Sequence, residues 1–281
     1  MNIIDGKEIS KKIREEIKLE VDRLKKSGII PGLAVIIVGD DKASRIYVNN
    51  KKKACQEVGI YSEEYALPEE TTQNELVSLI QKLNGNSNIH GILVQLPLPL
   101  HIDEKVVIEM INPDKDVDAF HKTNLGRIML NEYKFLPCTP AGIMKMLFES
   151  GIDVSGKVCV VVGRSNIVGK PMSLLLLHEN GTVITCHSKT RNLAQITKMA
   201  DILVVAIGKA NFITGDMIKK GAVVIDVGMN RDENGKLCGD VDFESVSKFA
   251  SHITPVPGGV GPMTITMLLQ NTVAAANLSL I

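Results

Sequence analysis

A lysine in the middle of an apolar helix face is the first residue in this sequence that could do chemistry. At about 100° per residue, Ser44, Tyr47, Val48, Lys51, Ala54, Cys55 and Val58 project within an arc of about 120°. Asn49, Asn50, Lys53, Gln56 and Glu57 lie opposite. The run Lys51-Lys52-Lys53 has the composition of a solvated face, which suits Lys53 and Lys52 but not Lys51. Lys51 either snorkels out of the arc or stays desolvated beside Tyr47 and Ser44. Desolvation makes an amine able to exchange protons near neutrality. Gln95 ends a buried strand and is followed by Leu-Pro-Leu-Pro, so it stands where open α/β sheets hold their ligands. Asp114, Asp116 and Asp118 imitate the start of a calcium loop. Positions six and twelve would be Ala119 and Leu125, and without Gly or Glu there a calcium site is rejected. A loop carboxylate that binds a ligand and a plain turn aspartate are the two readings left.

The second half carries a different chemistry. VVVGRSNIVGKP (160–171) runs from an apolar strand into a helix, with Gly163 and Gly169 at the turn. Five residues separate these glycines and Pro171 follows Lys170, so this is neither a Walker A loop nor G-x-G-x-x-G. It is a glycine turn before a helix N-terminus, either purely structural or a place where free N–H groups meet a phosphate. An NAD site places Asp or Glu about 20 residues further on, at the end of the second strand. Here that strand ends in His187-Ser188-Lys189-Thr190-Arg191. A hydroxyl and cations at this place, with Arg164 in the turn, suit the 2′-phosphate of NADP; the alternative is a basic solvated loop. PVPGGVGPMT (255–264), which contains Pro257, Gly258 and Gly261, is stiff and poor in side chains. It can approach a planar ligand closely or serve as a tight turn.

These residues need two sheets to position them. Apolar spacing predicts a helix over 7–26, a buried strand over 33–38, a helix over 43–58 and a strand over 61–67. A helix over 71–83 follows, with Thr72 and Glu75 as a capping box, then a strand over 91–96. Between residues 97 and 140 regularity breaks, apart from a short helix at 103–110, and a domain junction is expected near Cys138-Thr139. Strands over 158–163, 182–187, 202–208 and 222–228 alternate with helices, Asn234-Gly235 turns a small hairpin, and a last helix runs over about 263–280. The fold class is α/β, with an N-terminal domain at 1–138 and a Rossmann-like domain at 139–264.

Composition narrows the function. Lys+Arg and Asp+Glu are both 32, so there is no basic excess to capture nucleic acid or an anionic membrane. No apolar run approaches the roughly 18 residues of a membrane span, and the N-terminus lacks the basic and apolar regions of a signal peptide. A soluble cytoplasmic protein is expected. Its 5 cysteines form no C-x-x-C pair, and no H-E-x-x-H spacing occurs, so no metal site is expected.

Taken together, S-x-x-Y-V-x-x-K (44–51), GILVQLPLP (91–99), DKDVDAF (114–120), PCTP (137–140), VVGRSNIVGKP (161–171), CHSKT (186–190), DVGMN (226–230) and PVPGGVGPMT resemble one family over nearly the whole chain. That family is the bifunctional methylenetetrahydrofolate dehydrogenase/methenyltetrahydrofolate cyclohydrolases. The resemblance implies two α/β domains flanking a cleft, with the last helix, about 265–281, returning to the first. It implies NADP-dependent oxidation of 5,10-methylenetetrahydrofolate and hydrolysis to 10-formyltetrahydrofolate, in a homodimer. By the same resemblance Lys51 is the catalytic lysine, Tyr47 lies against the folate, Gln95 holds the lysine and Asp118 binds the pterin. Ser44, Pro257, Gly258 and Gly261 join the substrate site; Gly163, Arg164, Ser165, Ser188 and Met229 match cofactor contacts. Ala119 stands where the family commonly has Gly, and Met229 where it has Ile. The alternatives are a dehydrogenase without the hydrolytic step and a non-catalytic NADP-binding module.

Overall fold

The computed structural model describes residues 1–279, except the side chain of Ala43. Its strands are β1 (Asn2–Ile3), β2 (Gly32–Val38), β3 (Tyr61–Leu67), β4 (Gly91–Val94), β5 (Val158–Val162), β6 (Thr182–Cys186), β7 (Ile202–Val205), β8 (Val223–Asp226), β9 (Asn230–Arg231), β10 (Leu237–Cys238) and β11 (His252–Ile253). They fall into two compact units. One holds Lys12–Cys138 with the chain from Ile265 onward; the other holds Met1–Lys11 with Thr139–Thr264.

In the first unit β2 is the middle of a parallel sheet ordered β3-β2-β4. A middle strand is covered on both faces, and each residue of the run GLAVIIV is buried. Ala34, Ile36 and Val38 pack with Leu76, Ile80 and Leu83, the i, i+4, i+7 stripe of the Gln73–Gly85 helix. That helix begins at the expected capping box: Thr72 N donates to Glu75 Oε2 at 2.8 Å and Glu75 N to Thr72 Oγ1 at 3.3 Å. Ile13, Ile17, Val21 and Leu24 form the buried stripe of the Gly6–Lys26 helix. Each such side chain contributes about 1.5–3 kcal/mol by leaving water. From the Val260–Leu278 helix, Asn271 Nδ2 donates to Val117 O at 2.8 Å and Leu136 O at 2.9 Å, and Asn277 Nδ2 to Glu20 Oε1 at 2.9 Å. Leu280 and Ile281 of the expected last helix lie outside the described residues.

The second unit is a six-stranded sheet ordered β1-β11-β8-β7-β5-β6, parallel at each pairing. β6 and β7 flank β5 on opposite sides, so the carboxyl end of β5 is a topological switch point. β9 and β10 pair antiparallel across the expected hairpin, with Arg231 opposite Leu237 and Gly235 at φ +76°.

Three expectations differ from the structure. The segment 1–138 is not all one unit, because Asn2 and Ile3 pair with His252 and Ile253 and so carry Met1–Lys11 into the second sheet. A two-residue strand has no period to read. The irregular stretch contains a further helix, Lys122–Met129, capped by His121 Nδ1 accepting from Thr123 N at 3.1 Å. Gly126 inside it weakens the helical pattern in the sequence. A third helix, Cys138–Glu149, begins at the expected junction itself.

Candidate functional site

The Lys42–Val58 helix begins with Asp41 Oδ1 accepting from Ser44 N at 2.7 Å and ends at Gly59, which adopts φ +83°. Its apolar arc is buried as the spacing requires: Ser44, Val48, Lys51, Ala54, Cys55 and Val58 are each nearly inaccessible, and Tyr47 is half-buried. Lys51 does not snorkel. It is 8% exposed and donates from Nζ to Gln95 Oε1 at 3.0 Å. Gln95 is itself fixed, donating from N to Ile36 O at 2.8 Å and from Nε2 to Leu96 O at 2.7 Å. Burial raises the Tyr47 phenol above its ordinary pKa.

Asp118 reaches the same place from the 114–120 loop. Ile92 N donates to Lys115 O at 2.8 Å, stitching the loop to β4. Asp116 is buried and accepts from His121 N at 2.8 Å and Asn124 Nδ2 at 2.9 Å, which makes it an anchor; burial raises its pKa. Asp118 is half-buried, and the Cys138 thiol near it donates to Val117 O at 3.4 Å. Burial first, and then the charge of Asp118, push that thiol well above its usual pKa, while the charge of Lys51 acts in the opposite direction. Cys138 therefore sits close to both Asp118 and Lys51. The next residue, Ala119, is fully buried at φ +57°, a conformation that glycine adopts more easily.

The second unit presents the phosphate-type site. Gly163 N donates to Cys186 O at 2.9 Å, so the turn after β5 and the turn after β6 share one sheet edge. Gly163 adopts φ +137°, and a Cβ there would collide with the Ala206 carbonyl. A Cβ on Gly169 would collide with Gly163 O. Both glycines are thus required by close backbone approach. Ser165 Oγ accepts from Val168 N at 3.1 Å and Gly169 N at 3.3 Å at the start of the Gly169–His178 helix. Arg164, Ser165, Ser188, Lys189 and Arg191 are exposed along this edge. Met229 follows β8; a Cβ on Gly261 would stand 3.4 Å from its Cε. Gly258 adopts φ +110°.

Lys51, Gln95, Tyr47, Ser44 and Asp118 thus belong to the first unit, while Pro257, Gly258 and Gly261 belong with Met229 and the Gly163 turn to the second. The description "Tetrahydrofolate dehydrogenase/cyclohydrolase, catalytic domain" matches residues 4–118, and "Tetrahydrofolate dehydrogenase/cyclohydrolase, NAD(P)-binding domain" matches residues 137–280. The chain belongs to this family. It is 66% identical over 276 residues to the bifunctional protein FolD of Acetivibrio thermocellus, across 98% of this chain and 97% of that one. A crystal structure of the bifunctional FolD methylenetetrahydrofolate dehydrogenase/cyclohydrolase from Campylobacter jejuni matches with a TM-score of 0.98 at 54% identity, covering 99% of both chains. The FolD structure from Trypanosoma brucei, complexed with NADP cofactor and inhibitor, matches with a TM-score of 0.95 at 40% identity, over 99% of this chain and 98% of that one.

Sequence reasoning gave no site role to Cys138, Asn271, Asp226 or Asp240. Asp226 is the last residue of a buried strand, where a carboxylate needs partners, and that was its available signal. It accepts from Gly228 N and Asp240 N at 2.9 Å and Val241 N at 3.0 Å. Burial still raises its pKa to about 6. A carboxyl whose folded pKa exceeds its unfolded value stabilises the fold below the unfolded pKa and loses that contribution as pH rises to the folded one. Relative to Asp226→Asn, the protein is expected to lose about 3 kcal/mol of stability between roughly pH 4 and pH 6. Denaturant titrations of the two proteins across that range check this; parallel profiles would remove Asp226 as the source.

Proposed function

We infer that this protein oxidises 5,10-methylenetetrahydrofolate to 5,10-methenyltetrahydrofolate with NADP and hydrolyses the product to 10-formyltetrahydrofolate. The observation that carries the reading is Lys51, held inside an apolar helix face with its Nζ on Gln95 Oε1. Adding water to the methenyl carbon releases a proton as the C–O bond forms. Ring opening then breaks the C–N bond, the hydroxyl giving up its proton as it becomes the formyl C=O and the departing nitrogen gaining one, so that one proton is released overall. Lys51 Nζ is the group suited to carry that proton. Gln95 keeps the amine aimed. Tyr47 and Ser44, on the same face, line the folate, and Asp118 accepts a hydrogen bond from the pterin.

The residues of the second unit fit NADP. Gly163 and Gly169 let the turn after β5 pack tightly against Ala206 O and Gly163 O, and Ser165 caps the start of the helix beside which a pyrophosphate would lie. No carboxylate ends β6; Ser188, Lys189 and Arg191, with Arg164, suit a 2′-phosphate. Bound there, NADP supplies a two-electron acceptor for the hydride. Met229 completes the NADP contacts, while Pro257, Gly258 and Gly261 are read as contacts of the folate substrate. Residues 12–138 with the helix from 265 are assigned to folate, and 139–264 to NADP.

No helix among the described residues is long and apolar enough to cross a membrane. A cytoplasmic homodimer is part of the reading, and light scattering of the purified protein at twice the 30.6 kDa chain mass is its test. The decisive experiment is a time course with 5,10-methylenetetrahydrofolate and NADP that follows NADPH, methenyl and formyl products together. NADPH with prompt formyl product is expected. Methenyl product accumulating above the enzyme-free control would leave only the dehydrogenase, and absence of NADPH would overturn the reading.

A further inference from the structure

One inaccessible carboxylate holds the exposed loop that leaves β7. Asp240 is 0% exposed. Its Oδ2 accepts from Ile207 N at 2.7 Å and Gly208 N at 3.1 Å, and its Oδ1 from Lys209 N at 2.8 Å and Asn230 Nδ2 at 2.9 Å. Gly208 and Lys209 lie at the surface, so the loop is fastened from beneath. Successive N–H groups aimed at one carboxylate remove the backbone freedom that an exposed loop otherwise keeps. Asp226 fixes Asp240 in turn by accepting from its N at 2.9 Å. Neither carboxylate has a Lys or Arg partner among the described ion pairs. Burying two carboxylates without a cation is a poor way to gain stability, since apolar residues serve a core better. Their value lies in what they hold.

The loop they hold faces the switch point. Ala206 N donates to Val162 O at 2.8 Å, and the Ala206 carbonyl occupies the space a Cβ on Gly163 would need. The residues after β7 therefore stand directly against the turn after β5, on the side away from β6. A dinucleotide bound at the carboxyl end of β5 lies between these two loops.

We propose that Asp240 is a positioning residue for NADP: through the N–H groups of Ile207, Gly208 and Lys209 it sets the second wall of the dinucleotide site, opposite Gly163–Ser165. The proposal rests on the NADP reading, which the wild-type enzyme tests separately by making NADPH. The experiment uses full-length Asp240→Asn, measuring dehydrogenase KM and kcat against NADP, and methenyl hydrolysis without NADP. The amide keeps one acceptor oxygen and turns an NH2 toward the loop donors. KM for NADP is expected to rise at least ten-fold, with kcat at saturating NADP within three-fold and hydrolysis unchanged. Should Asp240→Asn not fold, Asp226→Asn, which displaces Asp240 through its backbone, is expected to raise that KM at least three-fold with the same split. A folded variant with KM within two-fold of wild type overturns the proposal. So does a matched loss of hydrolysis, the mark of a general structural defect.

Discussion

Lys51→Met is expected to slow methenyl hydrolysis at least 100-fold while KM for NADP stays within two-fold. The magnitude is that of a general acid–base group, roughly 10²- to 10⁴-fold. Methionine keeps the length and apolar stem of the side chain, so the packing of the Lys42–Val58 helix is preserved. What disappears is Nζ and its 3.0 Å bond to Gln95 Oε1. The oxidation depends more on alignment than on a proton carrier, so NADPH formation should fall less than hydrolysis. Both rates, measured on one preparation, decide the matter. Equal loss of hydrolysis and NADP affinity would mean that Lys51 supports the fold rather than the chemistry.

The same lysine shows what the sequence can disclose. A helix face is a local property set by 3.6-residue periodicity, so a charge in the middle of an apolar arc stands out without any knowledge of the fold. The capping box at Thr72 and Glu75 was legible for the same reason. That Gln95 would receive Lys51 was not legible in spacing, because 44 residues separate them and only the β2–β4 pairing brings them together; the family resemblance supplied it. Asp240 was less visible still. Its four donors come from two segments, Ile207–Lys209 and Asn230, each more than nine residues away. An aspartate between Gly239 and Val241 reads as an ordinary turn until the sheet order is known. The pairing of Asn2–Ile3 with His252–Ile253 is of the same kind: two-residue strands carry too little pattern to predict a contact 250 residues distant. Ala119 is a subtler case. Its departure from glycine was visible, but the φ of +57° that gives the departure meaning belongs to the folded loop.

Arg164→Ala is expected to weaken NADP by about 10- to 100-fold and NAD by less than three-fold. The side chain is exposed beside Gly163, so its removal leaves no cavity and frees no buried partner. The effect therefore reports on the ligand. A guanidinium on a phosphate makes charge-assisted hydrogen bonds worth roughly 1.5–3 kcal/mol, and only NADP carries the 2′-phosphate. Ser188 and Lys189 at the end of β6 remain in the variant, and they keep the loss short of complete. Dissociation constants for NADP and NAD, measured by calorimetry at fixed ionic strength, give the ratio directly. Screening weakens exposed ion pairs, so the NADP penalty should shrink as salt is raised. Equal weakening of the two dinucleotides would move Arg164 from the 2′-phosphate to the shared pyrophosphate, and the discrimination would then have to come from the residues after β6.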